Sequence, residues 1–123
     1  MTPTKKKILI IEDEKPMARA LELKLSHAGF EAKAVFNGED GMECIQKDIF
    51  DLILLDLVMP KLNGFKVLEA IKEKKVKTPV MVLTNLSQGD DEKRARALGA
   101  KEFFIKSNTP IANIVEKVAQ VLK

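Results

Sequence analysis

The chain has 123 residues, a net charge of +3, 46% hydrophobic residues and 32% charged ones. That length supports one self-sufficient domain over residues 1–123, and so slight a positive balance gives no case for direct nucleic-acid binding. Trp and Tyr are absent and the six Phe are scattered, which excludes the aromatic platforms of a single-strand nucleic-acid binder.

The first residues, Met1-Thr-Pro-Thr-Lys-Lys-Lys7, lead only into a short apolar run, Ile8 to Ile11. Signal peptides and membrane spans need far longer segments, so a cytoplasmic protein with no membrane partner is expected. The three lysines read as a solvated chain end. The lone Cys44 has no internal disulfide partner and reads as a small buried hydrophobe in a helix, in a reducing compartment.

Short apolar runs alternate with amphipathic segments five times. The pattern predicts strands at Lys7–Glu12, Ala32–Phe36, Leu52–Asp56, Val80–Thr84 and Glu102–Ile105. Helices are predicted at Lys15–Ala28, Glu39–Lys47, Gly64–Lys74, Gly89–Leu98 and Pro110–Leu122. Pro16 and Pro110 stand in first turns, Asn37 and Thr109 are candidate caps, and Gly29 and Gly99 follow helical runs as left-handed terminators do. In the last segment Ile111, Ile114, Val115, Val118 and Leu122 share one face. Strict alternation implies right-handed crossovers, and five strands match the smaller doubly wound parallel sheet of order 2-1-3-4-5, flavodoxin-like, with five helices on both faces.

Ligands of such sheets bind beyond the carboxyl ends of the strands, where the order reverses. That rule gathers Glu12, Asp13 and Asp56, with Thr84 and Lys106 at neighbouring strand ends. Asp56 closes the continuous apolar run Leu52-Ile-Leu-Leu55, where an unpaired acid is costly. Three converging acids repel unless a cation is present, and a hard divalent ion such as Mg²⁺ suits oxygen donors. Asp13 and Asp56 are the better direct ligands, and the longer Glu12 reaches through water. Asp56 is also a credible nucleophile, because carboxylates form acyl phosphates. Lys106 supplies a point charge for phosphoryl oxygens or for Asp56 itself, and Thr84 a hydroxyl whose rotamer can respond to phosphate.

Each residue also has a plain reading. Asp56 can cap a loop, Glu12 or Asp13 can cap the first helix, Thr84 can be an ordinary strand residue, Lys106 a solvated lysine and Gly64 a turn glycine. His27, the only histidine, suits the helix end where it stands. The Asp90-Asp-Glu-Lys-Arg94 run reads as a solvated helix face.

Taken together, Glu12-Asp13, Asp56-Leu-Val-Met59-Pro60, Gly64, Thr84 and Phe103-Phe-Ile-Lys106 resemble the receiver domain of bacterial two-component response regulators, of the chemotaxis-regulator-like kind. The resemblance covers essentially the whole chain. It implies Mg²⁺ held by Glu12, Asp13, Asp56 and the backbone carbonyl of Val58. It also implies phosphoryl transfer to Asp56 from a sensor histidine kinase or phosphotransfer protein, with Thr84 and Lys106 assisting. Thr84 and Phe103 resemble the family's switch pair. Phosphorylation would alter the surface of the fourth helix, fifth strand and fifth helix, where Lys93, Arg94 and Lys101 could meet a downstream effector or a fused output domain. A homodimer through that face stays open. Such a protein is no enzyme in the ordinary sense, since it catalyses only its own phosphorylation and slow dephosphorylation.

The chain departs from the family at several places. Ser107 replaces the proline that usually follows the lysine through a cis bond, and Asn85 replaces a very small residue after Thr84. Val58 and Leu86 are apolar at two rim positions that influence hydrolysis, from which a long-lived phosphoryl group is expected. Two other functions compete with the receiver. A pseudo-receiver that only binds partners usually lacks the acceptor, an acid or the lysine, all retained here. A Mg²⁺-dependent aspartyl phosphatase places a second acid two residues after the nucleophile, where this chain has Val58. The glycine motif of a nucleotide-binding P-loop is also absent.

Overall fold

The computed structural model describes residues 5–59, 62–85 and 89–122. Pro60 and Leu86, singled out above, lie outside the described residues.

Five strands, β1 (Lys7–Ile11), β2 (Glu31–Val35), β3 (Leu52–Leu55), β4 (Val80–Thr84) and β5 (Glu102–Ile105), form one parallel sheet in the order 2-1-3-4-5. They alternate with α1 (Lys15–His27), α2 (Gly38–Lys47), α3 (Gly64–Glu73), α4 (Gly89–Ala97) and α5 (Ile111–Val121). The central strands are buried throughout, as expected of a sheet covered on both sides.

Alternation along each strand divides the core in two. Leu9, Ile11, Ile53, Leu55, Val80 and Val82 face one way, toward α2, α3 and α4. Ile8, Ile10, Leu52, Leu54, Met81 and Leu83 face the other, toward α1 and α5. In α1, Ala18, Leu21 and Leu25 are fully buried. A Leu side chain so placed contributes about 1.5–3 kcal/mol. In α5, Ile114 and Val118 are buried, and Ile111, Val115 and Leu122 pack beside them as their spacing predicts.

The helix ends follow local chemistry. Asn37 Oδ1 accepts the Asp40 N–H at 2.8 Å, and Asn63 caps α3 through the Lys66 N–H at 3.1 Å. Gly29 and Gly99 have φ of +98° and +106° and end their helices in the left-handed region. Thr109 does not cap α5. Pro110 occupies the cap position, and its carbonyl accepts the Asn113 and Ile114 N–H groups.

Two boundary differences matter for the site. Glu12 and Asp56 lie one residue beyond β1 and β3, not inside them. After β5 the chain enters a 3-10 turn at Lys106–Asn108 that the sequence did not suggest, and no peptide bond in the described chain is cis.

Candidate functional site

Register brings the acids together. Ile11 pairs with Leu55 across β1 and β3, so Glu12 and Asp56 sit side by side one step later. Each is fixed by its backbone: the Asp56 N–H donates to Ile11 O and the Glu12 N–H to Val35 O, both at 3.0 Å. Thr84, fully buried, pairs with Ile105, which places Lys106 immediately beyond. Glu12, Asp13, Asp56, Thr84 and Lys106 therefore gather at one end of the sheet, as expected.

Lys106 is the hub. Its side chain is only 8% exposed, and Nζ lies 2.6 Å from Glu12 Oε1, 2.8 Å from Glu14 Oε1 and 2.9 Å from Asp56 Oδ2. The reading of Lys106 as a solvated lysine is thereby excluded. The Glu14 contact is absent from the sequence expectations, and its only signal was a third acid directly after Glu12-Asp13. Glu14 is 57% exposed and stands at the mouth of the site. Its N–H donates to Glu12 Oε2 at 2.9 Å, so Glu12, rather than Asp13, supports the start of α1.

Burial is the main force raising the Glu12 carboxyl from 4.5 to about 7; the Asp56 charge adds to it and Lys106 partly offsets it. Burial also disfavours the Lys106 ammonium, but its carboxylate partners overcome this and hold it well above the ordinary lysine value. The Lys106 ammonium thus lies between two closely spaced, buried carboxyl groups and offsets their mutual repulsion.

The mouth is a crevice of about 350 Å³ lined by Asp13, Glu14, Asp56, Val58, Asn85 and Lys106. Val58 is 55% exposed at its rim, and its N–H donates to Asp56 Oδ1 at 3.2 Å. Asn85 is also exposed and lines the crevice. Carboxylate oxygens of Glu12, Asp13 and Asp56 fall within 4.8 Å of one another. Glu12 Oε1 is buried without a directed hydrogen bond, its approach to Lys106 being ionic only. Three clustered hard oxygen donors, one lacking a directed partner, fit a small divalent cation.

Gly64 is more than a turn glycine. A Cβ there would stand 2.2 Å from Asp56 O and 2.5 Å from Leu57 Cα, and the Gly64 N–H donates to Leu57 O at 3.0 Å. The first turn of α3 thus presses directly on the backbone that carries Asp56. Phe103 pairs with Val82, two residues before Thr84, so Phe103 and Thr84 share a face of the sheet. Phe103 packs half-buried against the core on that side, and Phe104 packs against the opposite core. Arg94, expected on a partner-binding surface, is exposed; its guanidinium lies 4.0 Å from the Phe65 ring centre and 3.6 Å from Glu69.

Among the described residues no helix is long and apolar enough to cross a membrane. Residues 8–119 match the family model for the response regulator receiver domain. The transcriptional regulatory protein DltR of Streptococcus agalactiae is 37% identical over 100 residues, covering 81% of this chain and 45% of the relative. The response regulator ArlR of Staphylococcus aureus is 31% identical over 116 residues, covering 94% and 52%. The chain thus spans about half the length of these curated relatives. The receiver domain of the Francisella response regulator 1452 superposes with a TM-score of 0.90 at 23% identity, covering 95% of this chain and 96% of that one, a likeness of fold. By the family match and by these relatives, this chain belongs to the response regulator receiver domain family.

Proposed function

We propose that the chain is a single working receiver domain whose Asp56 accepts a phosphoryl group from a sensor histidine kinase or a phosphotransfer protein. The observation that carries the reading is the grouping of Asp56, Glu12 and Lys106 within ion-pair distance at the carboxyl end of the sheet. An Asp56 carboxylate oxygen forms the new O–P bond while the N–P bond of the donor phosphohistidine breaks. The imidazole leaves with that electron pair. Glu12, Asp13 and Asp56, with the Val58 carbonyl, are the residues to hold Mg²⁺, which when bound neutralises phosphoryl oxygens as they approach an anionic carboxylate. Lys106 supplies a second positive charge to the same oxygens.

Thr84 and Phe103 form the switch. A phosphoryl group offers the Thr84 hydroxyl a new partner, and the shared face lets Phe103 follow its movement. The surface of α4, β5 and α5 then changes for a downstream effector, an output domain or a second copy. The setting is cytoplasmic.

The test is intact mass after incubation with Mg²⁺ and acetyl phosphate, wild type beside Asp56→Asn. A Mg²⁺-dependent gain of one phosphoryl group, absent in the variant, is expected. No gain from acetyl phosphate or from a phosphohistidine donor would leave a binding-only module in its place.

A further inference from the structure

The opposite end of the sheet, where the strands begin, carries a different feature. Between α3 and α4, over the start of β4, lies a groove of about 460 Å³. Its floor is apolar, formed by Leu68, Ile71, Val76 and Leu98, and its rim carries Lys72, Lys75, Lys77 and Lys101. No acidic side chain lines it. All four lysines are exposed, and among the described residues none has a carboxylate within ion-pair distance. Lys72 Nζ instead donates to Ala97 O at 3.2 Å, tying the last turn of α3 to that of α4.

A second depression of about 310 Å³ shares Val76, Lys77 and Thr78 with the first and continues over Ile45, Ile49, Phe50 and Ile53; its one acid, Asp48, is neutralised by an ion pair with Lys7. Ile49 is 84% exposed, more than any other large hydrophobic side chain described. The two depressions make one trough with an apolar floor, its lysines gathered around the first depression.

We propose that this trough docks an acidic amphipathic segment of a partner protein, with aliphatic side chains on the floor and Asp or Glu side chains against the lysines. Charge complementarity selects the occupant: four like charges unpaired around apolar surface repel one another until an anionic chain with an apolar face covers them. A nucleic acid would meet the lysines but leave the floor unfilled, and Phe50, the aromatic residue nearby, is buried and offers no stacking face. A bilayer surface cannot follow a concavity between two helices. The site is remote from Asp56, at the other end of the sheet.

The probe is a fluorescein-labelled synthetic peptide, about four helical turns long, with leucines on one face and glutamates on the other. Its control has the same composition in broken order. Both are titrated against the whole chain by anisotropy at several salt concentrations. The patterned peptide is expected to bind, more weakly as salt rises, and the control not to. Lys75→Glu with Lys101→Glu should weaken binding at least about tenfold, and Ile49→Ser should weaken it too. All three positions are exposed, and unchanged thermal melts verify folding. Equal binding of the two peptides, or undiminished binding by the charge-reversed variant, overturns the proposal. So does sedimentation showing a dimer that these substitutions abolish, or tighter binding of duplex DNA or anionic vesicles through the same residues.

Discussion

Replacing Lys106 by methionine keeps the length of the side chain and deletes the one cation that, among the described residues, pairs with both Glu12 and Asp56. Both carboxylates have side chains under 5% exposed and lie within 3 Å of Nζ, so both lose their nearest positive charge. Removing one member of a buried ion pair costs about 3–5 kcal/mol. Here the lower end applies, because the Glu12 carboxyl, already raised to about 7, can take up a proton instead of staying charged. A loss of about 3 kcal/mol should lower the melting temperature by about 10 °C in a domain of this size. The assay is thermal or urea unfolding in EDTA, repeated from acid to mildly alkaline pH. A carboxyl whose folded pKa lies above its unfolded value, 4.5 for Glu12, loses stability for the fold as pH rises past that unfolded value. In the variant Glu12 climbs higher still, so its deficit should be small near pH 5 and largest near pH 8. The Lys106 pairing in the wild type is intact throughout that window, since its raised pKa is lost only above the ordinary lysine range. Saturating Mg²⁺ should restore much of the deficit by replacing the missing charge. A variant as stable as wild type in EDTA, or a deficit indifferent to pH, would refute the account of Lys106 as the electrostatic keystone.

Gly64→Ala forces a Cβ against the Asp56 carbonyl, where backbone must yield. A stability loss of about 1–3 kcal/mol and slower labelling by acetyl phosphate are expected, read by urea unfolding and intact mass. Glu14→Gln removes an exposed partner of Lys106; stability should change by under about 0.5 kcal/mol. Labelling should quicken, because one anion leaves the crevice mouth that a phosphoryl donor must enter. Val58→Asn puts an amide able to orient water at the exposed rim, and the phosphoryl group should be lost several-fold faster than from wild type, measured by mass after donor removal.

The sheet order and both core faces were legible because β1, β3 and β4 are continuous apolar runs whose alternate residues have nowhere to go but two opposite cores. The site residues were legible as types at strand ends. Their partnerships were not. Nothing local links Glu14 to Lys106, 92 positions away, since that contact depends on how α1 leaves β1 beside the end of β5. Gly64 carried the same ambiguity. A glycine opening a helix is common chemistry, and only the packed distance to Asp56 O reveals that a methyl group cannot enter. Thr109 failed as a cap because the 3-10 turn after Lys106 hands that position to Pro110. Ser107 follows a trans bond into that turn, as the absence of proline favours, because a non-proline cis bond costs about 3–4 kcal/mol.

Positions that break local rules concentrate at one end of the molecule: buried acids, a buried lysine, an exposed valine and a glycine under a helix. The strands beneath them obey pattern, and that regularity is what holds the exception in place. The separation of Glu12 and Asp56 is set by the pairing of Ile11 with Leu55, and that register is set in turn by both faces of β1 and β3 being apolar. A slip of one residue would exchange Leu9 and Ile11 with Ile8 and Ile10 between the two cores, displacing every side chain of the strand. The two carboxylates therefore stay opposed despite their repulsion because parting them means unpairing a buried strand. The sheet supplies the force that keeps the charges together, and Lys106 supplies the charge that makes the arrangement tolerable.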